Sequence, residues 1–263
     1  MRAVWALRSA LFVLWMLATV APVAVVLVAA SVFVRGTPLY RIAVFWVWLA
    51  MLGWRWICGV RHRVQGLHHV PSAADGTAAV ILASKHQSAW ETFAYPVLMP
   101  HPLCYVFKKE LLLIPFFGWA IGRLDMIHID RSRGAEAWAR VADQGRRFMA
   151  KGNWVIMFPE GTRTPRGAKG VYKHGAARLA VETGTPIVPI AVASARCWPG
   201  KSFLLRPGVV DISIGPPIAA AGRRADELMR EVEAWIEAEM LRLDPEAYPD
   251  GVAVRSSVSR YST

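Results

Sequence analysis

Two blocks of polar residues carry side chains that could do chemistry. The first block runs from His86 to Glu91 with the sequence HQSAWE, which places an imidazole five positions before a carboxylate. An imidazole can take a proton from a hydroxyl group, and a carboxylate can hold the other ring nitrogen in its protonated tautomer. His86 and Glu91 are therefore the candidate catalytic residues.

The second block, from Phe158 to Arg163, reads FPEGTR and directly follows an apolar stretch. Its glycine permits a tight turn, and a guanidinium is a strong partner for a phosphate group. An ordinary surface turn with a Glu–Arg pair is the structural alternative. Two of the cations that follow, Arg166 and Lys169, could simply be solvated loop charges. The phosphate interpretation assigns four residues of the block to substrate binding: Glu160, Gly161, Thr162 and Arg163.

A base beside a phosphate site, behind an apolar N-terminus, suggests transfer of a group onto a phosphorylated lipid alcohol. The first block also fits a capping box that opens a helix, with Ser88 as N-cap and Glu91 at the third helical position. That alternative explains Ser88 and Glu91 but not His86. Because residues five apart on one helix lie ~140° apart, His86 must precede the helix if it is to meet Glu91.

Taken in order, these blocks resemble those of the 1-acylglycerol-3-phosphate acyltransferase (lysophosphatidic acid acyltransferase) family of membrane glycerolipid acyltransferases. That family has a His-x4-Asp block and an FPEGTR block, and the second is matched letter for letter. Weaker family blocks are similar to residues 109–118, 129–131 and 187–190. The resemblance extends over residues 78–218.

Two departures from the family pattern stand out. Glu91 replaces the usual aspartate, which adds one methylene but leaves the acid–base chemistry intact because either carboxylate can accept a ring N–H. Asp125 and His128 stand where the family has glycine and phenylalanine. The second departure weakens the assignment of glycerophosphate binding to that segment, although its Arg131 is kept.

The resemblance implies an enzyme that moves a fatty acyl group from an acyl thioester to the sn-2 hydroxyl of lysophosphatidic acid, giving phosphatidic acid. In that reaction His86 is the general base and Glu91 orients it, while Arg163 and Arg131 bind the phosphate. The donor is a thioester of coenzyme A or of acyl-carrier protein, between which the sequence does not choose. No cofactor or metal is expected.

Three other functions stay open. The same chemistry could acylate another lysolipid, such as lyso-ornithine lipid. A membrane esterase would use His86 to activate Ser88, but the chain lacks the Gly-x-Ser-x-Gly pattern around that serine. A non-catalytic lipid-binding protein would leave both blocks without a purpose.

The composition favours a membrane surface. The chain of 263 residues is 54% hydrophobic, contains 12 Trp and has a formal net charge of +12. Such a charge suits nucleic acid or anionic lipid, and without any nucleic-acid motif we expect anionic membrane lipids and no nucleic acid. Three cysteines, Cys58, Cys104 and Cys197, are too few and too scattered for a disulfide framework, so buried thiols are expected.

The N-terminal segment predicts membrane attachment. Residues 11–34 carry no charge, and as a helix they would reach ~36 Å, enough to cross a bilayer core of ~30 Å. Residues 42–54 form a second apolar run that is too short to cross. Arginines on every side fit a hairpin in one leaflet, and a spanning helix followed by an interfacial helix is the alternative. The expected location is the inner membrane, with the catalytic domain facing the cytoplasm.

The remaining pattern predicts an α/β fold, in which one layered domain has a largely parallel mixed sheet flanked by helices. We expect a membrane anchor over residues 1–60, an acyltransferase domain over 61–243 and a loosely ordered tail over 244–263. Helices are expected at residues 135–150, 175–183 and 225–243, besides the one opened by Ser88. Strands are expected at residues 78–84, 104–107, 126–129, 154–158, 187–193 and 209–214.

Overall fold

The protein is seen in a computed structural model that describes residues 1–71, 79–129, 134–200, 202–249 and 254–255. Seven α-helices and nine strands occur within these ranges. The helices are α1 Arg2–Ala30, α2 Thr37–Trp56, α3 Trp90–Leu98, α4 Phe117–Ile121, α5 Gly134–Met149, α6 Gly175–Thr183 and α7 Ala225–Leu243. The strands are β1 Val60–Gln65, β2 Ile81–Ser84, β3 Leu103–Lys108, β4 Ile127–Ile129, β5 Trp154–Met157, β6 Ala168–Lys169, β7 Ile187–Val192, β8 Gly208–Ile214 and β9 Val254–Arg255.

Seven of these strands form one twisted sheet in the order β1-β8-β7-β2-β5-β3-β4. Every neighbouring pair is parallel except β7 and β8, which run antiparallel. The predicted α/β class with a largely parallel mixed sheet is therefore confirmed. The central strands β2, β5 and β7 are buried along their whole length, as expected for parallel strands that are covered on both faces.

Helices cover the two faces of the sheet differently. One face packs against α5, α6 and α7, and α7 presents Leu228, Val232, Ile236 and Met240 to it as a stripe at four-residue spacing. The other face packs against α3 and against residues of α1 and α2, among them Trp54. Strand residues alternate between the two layers because successive side chains of a strand point to opposite faces.

Helices α1 and α2 form an antiparallel pair that lies on the sheet domain. The indole nitrogen of Trp15 donates to the carbonyl of Leu49 at 2.9 Å, and that of Trp46 donates to the hydroxyl of Thr19 at 3.2 Å. Helix α1 is long and apolar enough to cross a membrane, which indicates membrane association. We call this pair, residues 2–56, the N-terminal hairpin.

Most predicted elements lie within one to three residues of their observed bounds, and the helix at 175–183 matches at both ends. The pattern did not predict β1. Its residues Arg61, His62 and Arg63 are exposed, because β1 is an edge strand, and a charged edge strand lacks the apolar alternation that marks a strand. The three cysteines are buried free thiols, as expected.

The first part of the tail is packed, and the prediction of a loosely ordered segment is wrong there. Asp244 is fully buried and bonds Arg166 through two oxygens at 2.7 Å each. Arg196 donates to the same carboxylate at 2.9 Å. Tyr248 is buried as well, and further along β9 pairs with β6. The apolar pattern stops at Asp244, so these ionic contacts could not be predicted from hydrophobic periodicity.

Candidate active site

The two candidate catalytic residues meet at the carboxyl edge of the sheet. His86 follows β2 after Lys85, and Glu91 lies in the first turn of α3. The Nδ1 atom of His86 lies 3.9 Å from the Oε2 atom of Glu91, and no hydrogen bond to this nitrogen is found within the described residues. The ring stacks on Phe158 with 4.0 Å between centroids. The imidazole is therefore held by packing, and its Nδ1 can turn toward the carboxylate when the ring is protonated.

Glu91 is fully buried and is held by donors from two parts of the chain. Its Oε1 accepts from the backbone nitrogens of Gln87 at 2.8 Å and Ser88 at 2.9 Å. The hydroxyl of Ser194 donates to the same oxygen at 2.6 Å. The other oxygen, Oε2, accepts from the backbone nitrogen of Ser88 at 3.1 Å and from its hydroxyl at 3.3 Å, and it is the oxygen that faces His86. Sequence reasoning missed Ser194, which belongs to a turn after β7, 103 positions along the chain.

The predicted capping box is partly wrong. The helix begins at Trp90 and its N-cap is Ala89, one residue later than expected, so Glu91 is the second helical residue. The Ser88 hydroxyl accepts from the Trp90 nitrogen at 2.9 Å, while Glu91 reaches back to the Ser88 nitrogen. Ser88 and Glu91 still hold the turn with one side-chain-to-backbone bond each, but the positions differ from a capping box. The Ser88 hydroxyl accepts from the backbone nitrogen two residues later instead of three.

Burial keeps the base neutral. The pKa of His86 falls to about 3, first because burial disfavours the imidazolium and second because of the positive charge of Arg163. Burial raises the pKa of Glu91, whereas the hydrogen bonds from Ser194, Gln87 and Ser88 lower it. At neutral pH the imidazole is therefore unprotonated and able to accept a proton.

Glu160 does not face a substrate, which corrects its assignment to phosphate binding. Its side chain is fully buried, and its Oε1 accepts from the Nζ of Lys85 at 2.8 Å. Its Oε2 accepts from the backbone nitrogen of His86 at 3.2 Å. A carboxylate repels a phosphate, and this one is occupied inside the protein. Glu160 therefore positions the strand end that carries His86.

Lys85 completes a buried ionic cluster beneath the site. Its Nζ donates to Glu160 and to Glu237 of α7, each at 2.8 Å, and to the carbonyl of Ala168 at 3.1 Å. The hydroxyl of Tyr172 also donates to Glu237, at 2.7 Å. We call Lys85, Glu160, Glu237 and Tyr172 the lysine cluster. Lys85 and His86 leave the sheet toward opposite helical layers, as consecutive residues of an extended chain do.

The turn of the second block exposes its basic residue. Gly161 has a φ of 68°, which favours glycine, and Lys173 lies against its Cα. Thr162 and Arg163 are exposed. Of the cations downstream, Arg166 is bound to Asp244 and Lys169 to Glu233. Arg163 and Lys173 lie around the space in front of His86, together with Arg166 and with Arg178 of α6. Arg131 lies outside the described residues.

Two cavities meet at this edge. A cleft of about 1310 Å³ is lined by His86, Thr162, Arg163 and Lys173, among others; we call it the basic cleft. A second cavity of about 290 Å³ lies between the N-terminal hairpin, α3 and α4, where apolar side chains such as Leu27 dominate its wall; we call it the apolar cavity. Residues that line both are Thr92, Tyr105, Phe107, Leu111 and Arg163. The site can therefore hold a molecule that is anionic at one end and apolar at the other.

Comparison with known proteins agrees with this arrangement. A family model described as Acyltransferase matches residues 61–193. The chain is 37% identical over 265 residues to the 1-acyl-sn-glycerol-3-phosphate acyltransferase of Pseudomonas aeruginosa, which covers 93% of this chain and 95% of the relative. The chain belongs to the 1-acyl-sn-glycerol-3-phosphate acyltransferase family. The resemblance expected from the two blocks is confirmed, and the protein is an acyltransferase.

More distant members of the family extend the comparison. The 1-acyl-sn-glycerol-3-phosphate acyltransferase of Salmonella typhimurium is 31% identical over 184 residues, covering 67% of this chain and 73% of the relative. The crystal structure of the 1-acyl-sn-glycerophosphate (LPA) acyltransferase of Thermotoga maritima superposes with a TM-score of 0.76 at 21% identity. It covers 93% of this acyltransferase and 98% of the other chain. At that identity the likeness concerns the fold.

Proposed function

We propose that this acyltransferase moves a fatty acyl group from an acyl thioester to the sn-2 hydroxyl of lysophosphatidic acid, giving phosphatidic acid. One observation carries the proposal: His86 lines a basic cleft that shares part of its wall with an apolar cavity. Lysophosphatidic acid offers a phosphate to the cleft and a free hydroxyl to His86, and the acyl group of the donor offers an apolar chain to the cavity. The names of the relatives, which specify this acceptor, support the same assignment.

The reaction needs a base and no acyl-enzyme. His86 takes the proton of the sn-2 hydroxyl through Nε2 while that oxygen attacks the thioester carbonyl carbon. The tetrahedral intermediate then collapses, the C–S bond breaks, and the imidazolium returns the proton to the thiolate. Glu91 stabilises the imidazolium through Nδ1. Ser88 supports the turn in this proposal, because it is fully buried and its hydroxyl accepts from the Trp90 nitrogen and donates to Oε2 of Glu91 at 3.3 Å.

Arg163 binds the acceptor phosphate in this proposal, with Lys173 as a second cation on the same side of the cleft. A guanidinium gives two parallel hydrogen bonds to phosphate oxygens, and an ammonium adds a point charge. Thr162 and Gly161 shape the turn that exposes Arg163. Arg131 stays a predicted phosphate ligand.

The apolar cavity receives the hydrocarbon of the acyl group. Its walls come from α1, α2, α3 and α4, so the N-terminal hairpin forms part of the substrate site besides attaching the protein to the membrane. The thioester carbonyl then lies where the two cavities join. Coenzyme A and acyl-carrier protein are both retained as carriers of the donor, and no cofactor or metal takes part.

The N-terminal hairpin lies in one leaflet of the inner membrane on its cytoplasmic side, where both donor carriers occur. Support comes from α1, which is tied to the sheet domain near both ends. The Ser9 hydroxyl accepts from the Leu205 nitrogen at 2.9 Å, and Ala24 and Leu27 line the apolar cavity with α4. A helix that crossed the bilayer would have to leave these contacts.

The proposal is tested with purified full-length protein in lipid vesicles. Acyl-coenzyme A or acyl-acyl-carrier protein is supplied with lysophosphatidic acid, lyso-ornithine lipid or lysophosphatidylcholine, and products are identified by mass spectrometry. Phosphatidic acid should be formed fastest. A clear preference for lyso-ornithine lipid would overturn the acceptor assignment while leaving acyl transfer intact. The intact protein mass after incubation with donor alone should be unchanged, and a stable acyl adduct would contradict direct transfer.

A further inference from the structure

The region common to the two cavities must hold the reacting carbonyl group if the proposed function is right. Of the residues that line both cavities, Phe107 and Leu111 offer only apolar side chains. The Thr92 hydroxyl already donates to the carbonyl of Ala89 at 2.7 Å. Arg163 is assigned to the phosphate. By elimination, Tyr105 is the shared wall residue with a hydrogen-bond donor to spare.

Tyr105 combines three properties that suit a ligand contact. It lies in the middle of β3 and is only 9% exposed. Its hydroxyl is buried and has no hydrogen-bond partner among the described residues. The pKa of Tyr105 lies well above its ordinary value because of burial and of nearby groups that include Tyr40, Tyr95 and Glu91. The hydroxyl therefore stays protonated and can donate.

An unpartnered buried hydroxyl is unusual, because most buried polar groups in folded proteins are hydrogen-bonded. Leaving such a group unsatisfied destabilises the fold, unless a ligand supplies the missing partner. The ring of Tyr105 lies 6.5 Å from that of Phe158, on which the His86 ring stacks. Tyr105 therefore lies close to the catalytic histidine, in the wall that the two cavities share.

We propose that the Tyr105 hydroxyl donates a hydrogen bond to the carbonyl oxygen of the acyl donor, and that this bond becomes stronger as the oxygen becomes negatively charged. The sn-2 oxygen bonds to the carbonyl carbon, the electron pair of the C=O π bond moves to the carbonyl oxygen, and His86 takes the proton. The pair returns when the C–S bond breaks. Tyr105 is then a catalytic residue that stabilises the tetrahedral intermediate. The inference rests on the proposed function.

The test compares Tyr105→Phe with Tyr248→Phe in full-length protein in vesicles. Both hydroxyls are buried without a hydrogen-bond partner among the described residues, but Tyr248 lines neither cavity. Tyr105→Phe should lower kcat by about 100-fold, as the loss of one oxyanion donor does. The KM for the lysolipid should change little, and Tm should not fall because no partner is lost. Tyr248→Phe should keep a near-normal kcat.

Two outcomes would overturn the inference. A Tyr105→Phe variant with kcat within about threefold of wild type would show that the hydroxyl does not act on the reacting atoms. Equal losses in both variants, or a loss accompanied by a lower Tm, would assign the effect to packing. The comparison uses whichever lysolipid the wild-type protein acylates. If the acceptor assignment is wrong, the wild-type protein will prefer another lysolipid. If this inference is wrong, Tyr105→Phe will keep its kcat with whichever lysolipid is used.

Discussion

Lys85 and His86 are neighbours in the chain but occupy opposite kinds of environment. The lysine side chain has no exposed area, and its ammonium is bonded to two carboxylates and a carbonyl. The imidazole lines the basic cleft, and 13% of its side chain is exposed there. One side chain is fully bonded within the protein, and the other reaches the cleft in which a substrate would bind.

The two environments are joined by Glu160. One of its oxygens accepts from Lys85 and the other from the backbone nitrogen of His86. The carbonyl of His86 accepts from the Thr164 nitrogen at 2.8 Å. Strong ionic contacts therefore fix the backbone at residue 86, while the reactive atoms of the ring stay unbonded. Rigid support behind a free reactive group is what preorganised catalysis requires.

The largest effect on stability is expected from removing the charge of Lys85, the side chain that is bonded within the protein. Lys85→Met removes the cation and leaves Glu160 and Glu237 buried without it. Removing one partner of a buried ion pair typically costs about 3–5 kcal/mol. The free energy of unfolding, measured by denaturant titration in detergent, should fall by about that amount, and activity should fall with it.

A matched control is Arg147→Ala, which breaks an exposed ion pair with Asp143 on α5. Exposed pairs contribute little to stability, so the unfolding midpoint of that variant should stay near wild type. Equal midpoints for Lys85→Met and Arg147→Ala would show that the lysine cluster does not support the fold.

The next effect concerns the cation that faces the substrate. Arg163→Ala should lower kcat/KM for lysophosphatidic acid by tenfold or more, because each hydrogen bond to a charged group contributes about 1.5–3 kcal/mol. Arg163→Lys should restore part of the loss, since an ammonium cannot form the paired bonds. Monoacylglycerol, which lacks the phosphate, is the control acceptor. A proportional loss toward both acceptors would remove Arg163 from phosphate binding.

These side chains show which features of the fold and of the site can be predicted from the sequence. The alternation of apolar runs predicted the sheet and the helices, and the resemblance to the family located His86, Glu91 and Arg163. The inward direction of Glu160 was not predictable, because its partner Lys85 lies 75 positions away along the chain. Local sequence patterns predict which residues are buried and which element they form. They do not predict which residue from a distant part of the chain a buried side chain will contact.

Ser194 illustrates the same limit at the catalytic pair. The apolar run of β7 predicted a strand that ends near residue 193, but nothing in that run indicated a hydrogen bond to Glu91. Parallel strands bring their carboxyl ends to one edge of the sheet, so residues after β2 and β7 become neighbours. Only the order of the strands in the sheet shows that the residues after β2 and β7 lie side by side.

A smaller effect is expected from Ser194→Ala, which removes one of the donors to Glu91. The backbone donors remain, so the loss of kcat at pH 7.5 should be up to about tenfold, the lower end of what such a bond contributes. Losing a donor raises the pKa of Glu91. The carboxylate is therefore protonated at a higher pH as the pH falls, and the acid limb of the kcat profile should move to higher pH.

Thr183→Ala is the control for this shift, because the Thr183 hydroxyl bonds Leu179 in α6 and lines neither cavity. Its pH profile should follow the wild type. An unshifted acid limb in Ser194→Ala would mean that Glu91 does not titrate in the reaction.

The central claim is that His86 acts as the base and that Ser88 only supports the turn. The direct measurement is kcat for His86→Ala and Ser88→Ala, with lysophosphatidic acid and an acyl thioester in the same vesicles. His86→Ala should stay folded and lose about 10²–10⁴-fold in rate. Ser88→Ala should lose about 0.5–1.5 kcal/mol of stability, the contribution of one hydrogen bond, and keep most activity. Near-normal turnover by His86→Ala, or an equal loss in both variants, would contradict the mechanism.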